Sequence, residues 1–288
     1  MSTRQEQQWF REGVINTLAV LGYATTPQIS ASLGERAVTD EAMDKRLQRM
    51  ASDQLVEQRR ADGVPCWVAT SEALALYDWD LPYVKEIGAT TVRHNLAVAQ
   101  VAIHLRLAGL GVTTERQLRA EERAHRDARG YVLAPLSASL EYRRVRMLPD
   151  GRNLRYTSKE AVAEWHNAWV PKHRPDVRID TAPPAEQARL SHLLPAAVEI
   201  ELSIKRPELL SAKLRWLAEG RNGYRSVHYL CGDEAIARAM ERAATTAAPA
   251  LDLNIQTFDS RLLVAAESRR TDVGLKQLRL DTPRRRGD

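Results

Sequence analysis

The 288-residue chain has only two cysteines, Cys66 and Cys231, far apart and in no CxxC pair. That spacing argues against a disulfide framework or a cysteine-rich zinc centre and matches a reducing compartment. No apolar run approaches the ~20 residues that a membrane helix needs. Met1–Gln8 is polar and lacks the apolar core of a signal peptide, which predicts a cytoplasmic protein with no membrane partner. No glycine-rich phosphate loop is present, which argues against a nucleotide-driven motor. The seven histidines form no HExxH and no Cys/His zinc spacing. No Ser-His-Asp set stands out, and the chain carries no internal repeat and no long low-complexity tract.

What is present is an ordinary folded composition, 44% apolar and 27% charged, long enough for about two domains with a core each. Net charge is +5 and the pI about 9.3, and arginine heavily outnumbers lysine. A basic, arginine-rich chain favours a polyanionic partner, although a GC-rich genome also encodes arginine often.

Residues 1–80 read as three helices and a hairpin. Ile15, Leu18, Ala19 and Leu21 give the first helix, 5–22, an inward face, and Gly22 ends it. Thr26 is positioned to cap a helix over 28–33, with Pro27 at its first turn. Thr39 caps a third helix, with Asp40 and Glu41 in its first turn and Met43, Leu47 and Met50 inward. Two alternating runs, 55–61 and 64–70, flank Asp62-Gly63, a strong hairpin signal.

This layout is that of a winged helix-turn-helix, whose third helix fits the major groove of double-stranded DNA. Lys45, Arg46, Gln48 and Arg49 on that helix, with Arg59 and Arg60 on the wing, are the expected DNA contacts. Asp44, Asp53 and Glu57 dilute the patch, so a protein-docking winged helix is the competing reading. Arg59 and Arg60 also suit the blunting of a hairpin edge.

Residues 81–92 read as a linker and 93–109 as a long apolar helix, followed by a strand over 111–118. Residues 120–172 form a basic insert with Arg143, Arg144 and Arg146 and a turn at Asp150-Gly151. From 173 onward the order is strand, strand, helix, strand, helix, strand, so 93–282 reads as an α/β domain. The tail, 283–288, is basic and expected to be disordered.

Ala197–Arg206 reads A-V-E-I-E-L-S-I-K-R. Val198, Ile200, Leu202 and Ile204 share one side of a strand, and Glu199, Glu201, Ser203 and Lys205 the other. Adjacent carboxylates repel unless a cation lies between them, which makes the strand a candidate metal site. Asp176, after Pro175, opens a neighbouring strand and could join Glu199 and Glu201 around Mg²⁺ or Mn²⁺. Lys205 would steady phosphate charge. The competing reading is a half-buried edge strand with a solvated acidic face. His94 could cap or line the cleft but is read first as structural, and Trp165, Trp169 and Trp216 as core. Tyr131, Tyr142 and Tyr156 are open candidates for a nucleophile.

Pro175-Asp176 with Glu199 resembles the PD-(D/E)xK nuclease superfamily, which implies a restriction-endonuclease-like mixed sheet after the winged helix, α/β there and α+β overall. The pattern departs where Glu201 replaces the motif lysine; Lys205, ~13 Å further along an extended strand, or Lys213 on the next helix would have to substitute. The order of the winged helix, Arg93-His94-Asn95-Leu96, Thr114-Glu115-Arg116-Gln117-Leu118-Arg119, Arg174-Pro175-Asp176 and Val198–Lys205 is similar to the replication-relaxation family of plasmids and mobile elements. It is also similar in outline to MobC-type mobilisation relaxases. The resemblance implies DNA relaxation, replication or mobilisation, a metal-dependent nicking activity, and Glu115 as an early acid of the metal site. Otherwise Glu115 is a surface partner of Arg116 or Arg119. A homodimer and other DNA-processing proteins are the further partners it allows. The alternative is a non-catalytic DNA-binding accessory factor or transcriptional regulator with a degenerate nuclease-like domain.

Overall fold

The computed structural model describes residues 3–34, 39–120, 131–132, 145–146, 174–218, 224–248, 251 and 253–258. Most of the basic insert, with Arg143, Arg144, Tyr142, Tyr156, Trp165 and Trp169, lies outside these residues, as does the 283–288 tail.

Three helices begin the chain: α1 (Thr3–Leu21), α2 (Thr26–Ser32) and α3 (Asp40–Ser52). Gly22 ends α1 at φ 84°, a conformation that needs no Cβ. The cap of α2 is Thr25, not Thr26: its hydroxyl accepts from Gln28 N while Gln28 Oε1 accepts from Thr25 N. That reciprocal pair is a capping box, and it frees Thr26 to bond Asp44 and Trp67 instead. Thr39 caps α3 as expected, and Met43, Leu47 and Met50 are buried.

The hairpin follows: β1 (Val56–Ala61) pairs antiparallel with β2 (Val64–Ala69). Asp62 and Gly63 both take positive φ, 50° and 77°, the pattern of a type I′ turn. A short helix that the sequence reading lacks, α4 (Ser71–Leu76), follows under a Thr70 cap. Trp67, Ile15, Leu18, Ile29, Met43 and Leu47 fill the core between these elements.

Residues 81–91 have no regular structure but are packed: Leu81 and Tyr83 lie against the helical core, and Val84 and Ile87 against a cluster that includes Val92 and Leu96. Helix α5 (Val92–Leu107) is apolar on nearly every side, because it serves two cores at once. Val92 and Leu96 pack with Tyr23, Cys66 and Val68 of the helix–hairpin unit, while Ala97, Val101 and Leu105 pack on the main sheet.

That sheet has five strands in the order β3 (Gly111–Thr114), β6 (Val177–Thr181), β7 (Ala196–Glu201), β8 (Ser226–Cys231) and β9 (Leu253–Thr257). The first two pairings are antiparallel and the last two parallel. Strands β4 (Tyr131–Val132) and β5 (Val145–Arg146) form a separate two-residue pairing. The strand expected over 111–118 stops at Thr114, and 115–120 is helical. Helix α6 (Gln187–Leu190) and a 3-10 turn separate β6 from β7.

Helices α7 (Pro207–Ala218) and α8 (Glu234–Ala247) cover one face of the sheet, where Leu210, Leu214, Ile236 and Met240 meet Ala197, Val227 and Tyr229. Helix α5 covers the other, meeting Val177, Ile179, Val198 and Ile200. The result is three layers, and residues of one strand alternate between the two helical layers.

Candidate functional site

The strand alternation in Ala197–Glu201 holds, but the acidic side is not solvated. It faces α7, so Glu199 is 1% and Glu201 3% exposed. A solvated edge-strand face is therefore excluded for these two carboxylates, and each has a lysine. Lys213 Nζ on α7 lies 2.8 Å from Glu199 Oε2, and Lys205 Nζ lies 2.7 Å from Glu201 Oε2. Strand β7 ends at Glu201, so Lys205 does not continue the row of strand side chains two steps on. The chain turns after the strand and brings the ammonium back.

Asp176 stands immediately before β6, whose Val177 pairs with Val198. It accepts from Ile200 N at 2.7 Å through Oδ2 and meets His94 Nε2 of α5 at 3.1 Å through Oδ1. Asp176, Glu199 and Lys213 feel one another's charge, with Asp176 bonded to His94 on the α5 side and Glu199 to Lys213 on the α7 side.

Burial pushes Asp176 up, but the His94 hydrogen bond and charge, Lys213 and the Ile200 amide outweigh it and hold the carboxyl below its ordinary value. Burial pulls His94 down, yet Asp176 raises it above the ordinary imidazole value. For Glu199, burial wins over Lys213 and the carboxyl is pushed up to about 7. Burial also pulls on Lys213, but Glu199, Tyr229 and Asp176 hold the ammonium above its ordinary value. The Tyr229 ring lies 5.6 Å from Lys213 Nζ and supports the charge from below.

Oxygen ligands suit Mg²⁺ or Mn²⁺, and Mg²⁺ commonly takes one or two carboxylates together with substrate phosphate. Glu199 Oε1 is buried with no hydrogen-bond partner, and such an atom calls for a cation or donor. Asp176 and Glu199 therefore fit a divalent ion in donor type. Glu201 and Glu115, expected beside them, are engaged elsewhere: Glu201 with Lys205, and Glu115 with Arg119 at 2.6 Å. Glu115 thus takes its alternative role, although its backbone N–H bonds Asp176 O. Among the described residues, no three His, Cys, Asp or Glu side chains converge on a metal-sized point.

The expected DNA-contact residues divide. Lys45, Arg46, Gln48 and Arg49 are exposed along α3, with Lys45 paired to Glu41 and Arg46 lying 5.0 Å from the Phe10 ring centroid. Arg60 is exposed on β1. Arg59 is not on a free surface: its guanidinium bonds Glu57, the hydroxyl of Tyr83 and the carbonyls of Val84 and Lys85, and clasps the 83–85 segment to the hairpin.

His94 is the site residue read as structural, and nothing local to the sequence links it to Asp176, 82 positions away. Lys213 did leave a signal. It lies three residues after Leu210 and four before Leu217, on the buried stripe of α7, where a lysine needs a partner. The two cysteines are buried and free, with the Cys66 thiol pushed up to about 11 and Cys231 to about 12 by burial, so neither is a nucleophilic thiolate. No helix of the described residues is long and apolar enough to cross a membrane. Compared with protein-family models and with curated proteins, the chain matches none.

Proposed function

We propose that this chain is a DNA-binding protein whose α/β unit carries a nuclease-like centre for DNA nicking or relaxation. The observation that carries the reading is the charge interaction of Asp176, held by His94 and the Ile200 amide, with the buried Glu199–Lys213 pair on the neighbouring strand and its covering helix. The helix–strand order α5-β3-β6-β7-α7-β8 and the antiparallel-then-parallel sheet agree with a PD-(D/E)xK-type core. Lys213 supplies, from the helix, the cation that Glu201 denies the strand.

The three helices and hairpin serve as a winged helix-turn-helix that docks α3 in the major groove through Lys45, Arg46, Gln48 and Arg49. The order of motifs similar to the replication-relaxation family is in keeping with a role in plasmid or mobile-element DNA processing. In this reading Asp176 and Glu199 would hold Mg²⁺ or Mn²⁺, which would supply positive charge for a phosphate bound beside them. His94 and the Ile200 amide fix the Asp176 carboxylate, and Lys213 fixes Glu199 while adding positive charge.

One observation favours a second reading. Glu199 is 1% exposed and already neutralised by Lys213, so the centre is closed and charge-balanced as it stands. A protein that binds DNA and uses this unit only as a scaffold would look the same. Incubating supercoiled plasmid with the wild type and Asp176→Ala, each with Mg²⁺ and with Mn²⁺, separates the two. Nicked circles from the wild type alone support the centre. No nicking by the wild type, alongside salt-sensitive duplex binding, leaves the scaffold reading.

A further inference from the structure

A cavity of about 390 Å³ lies between the helix–hairpin unit and the α/β unit, and Asp176 lines it. Its apolar wall comes from Val20 and Leu21 at the end of α1, Val84 of the connecting segment, and Val98 and Ala99 of α5. Asn95 of α5, one residue from His94, adds a carboxamide at the rim. Its ionic wall comes from Arg116, Arg119, Glu115 and Glu86.

The fittings of that ionic wall decide what can enter. Arg116 is tied down, with Nε donating to Ala19 O at 2.7 Å and Nη2 to Pro82 O. Arg119 is held by Glu115. Two guanidinium groups against the carboxylates of Glu86, Glu115 and Asp176 leave no cationic excess, so the cavity does not select a phosphate. An apolar wall with carboxylate and carboxamide acceptors suits a flat heterocycle that carries amino groups, since carboxylates accept from exocyclic N–H₂ and amides pair with adenine edges. The volume is in the ~300–1,000 Å³ range of small-molecule sites, room for one nucleoside and far too little for a duplex.

We infer that this cavity receives one unpaired, amino-bearing base of the DNA strand presented to Asp176. The inference rests on the DNA-binding reading above and adds to it a structural class of substrate: duplex carrying an unpaired or extruded nucleotide. Extrusion costs least where the base is already unpaired, so selectivity for such a site follows from the same pocket.

The test measures binding of the full chain to three labelled duplexes of one sequence: fully paired, with a single bulged adenine, and with a bulged abasic residue. The expected result is about tenfold tighter binding of the bulged adenine than of either other duplex, because the paired duplex must first give up a base pair and the abasic bulge offers the cavity no base. Val84→Trp fills the cavity and Asn95→Ala removes the rim amide at an exposed position. Both should erase the preference while leaving affinity for the paired duplex unchanged. Equal affinity of the wild type for all three duplexes overturns the pocket and leaves the DNA-binding reading standing, and so does a preference that survives in both variants. Preference without plasmid nicking upholds the pocket and removes the catalytic part of the reading. Failure to bind any of the duplexes overturns both.

Discussion

Lys213 Nζ and Glu199 Oε2 lie 2.8 Å apart beneath the sheet face, with the two side chains 12% and 1% exposed. Removing one member of a buried pair strands the other. Lys213→Met should therefore destabilise the protein by about 3–5 kcal/mol at pH 8. Glu199 is already pushed up to about 7 with the lysine present, so without it the carboxyl takes up a proton more readily still. A group whose folded value is raised binds more protons folded than unfolded, and stability falls as pH rises past its unfolded value. The loss should thus be smaller at pH 5 than at pH 8, as urea denaturation of both proteins will measure. A loss independent of pH would mean that the pair does not titrate together.

The His94–Asp176 contact predicts a pH window. His94 is raised, so its stabilisation is fully present below the ordinary imidazole value and fades as pH climbs through the folded value. Asp176 is lowered, so its share is present above the ordinary carboxylate value and is lost as pH falls through the folded one. His94→Ala should cost roughly 1–2 kcal/mol at pH 5.5 and clearly less at pH 9, read from denaturation midpoints.

On α3, Arg46→Ala and Arg49→Ala should each weaken duplex binding across sequences and lower the salt slope by about one where a phosphate contact is lost. Arg59→Ala should behave differently. Its guanidinium is occupied by Glu57, Tyr83 and the carbonyls of Val84 and Lys85, so the change should lower the melting temperature and leave the salt slope unchanged. A reduced slope for Arg59→Ala with unchanged melting would place that residue on DNA after all.

Thr25, rather than Thr26, closes the first turn of α2. Thr25→Ala should cost about 1 kcal/mol, the usual loss for a threonine cap, with the Gln28 N–H losing its hydroxyl acceptor. Comparison with Thr26→Ala by thermal denaturation separates the cap from the Thr26–Asp44 and Trp67–Thr26 contacts.

Local signals were readable where the physics is local. Thr39 with Asp40 and Glu41 marked the start of α3, Asp62-Gly63 marked the turn, and alternation in Ala197–Glu201 sorted the strand's two sides. Alternation cannot say what covers a face. Only the packing of α7 shows that Glu199 and Glu201 are enclosed rather than wet. The helix over 115–120 was hidden by β-branched residues just before it, since Val112, Thr113 and Thr114 extend a strand pattern into Glu115. His94 reaches Asp176 because α5 packs on the sheet face beside it, a tertiary fact with no short-range trace.

Helix α5 carries His94, which meets Asp176, and two residues later Leu96, whose carbonyl accepts from Gln28 of α2 at 2.7 Å. Arg93 on the same turn reaches Asp62 at the hairpin tip. A single helix therefore joins the helix–hairpin unit to the main sheet and works as a ruler. If α3 docks on a duplex as proposed, the nucleotide that reaches Asp176 should lie at one constant offset from it, counted in base pairs.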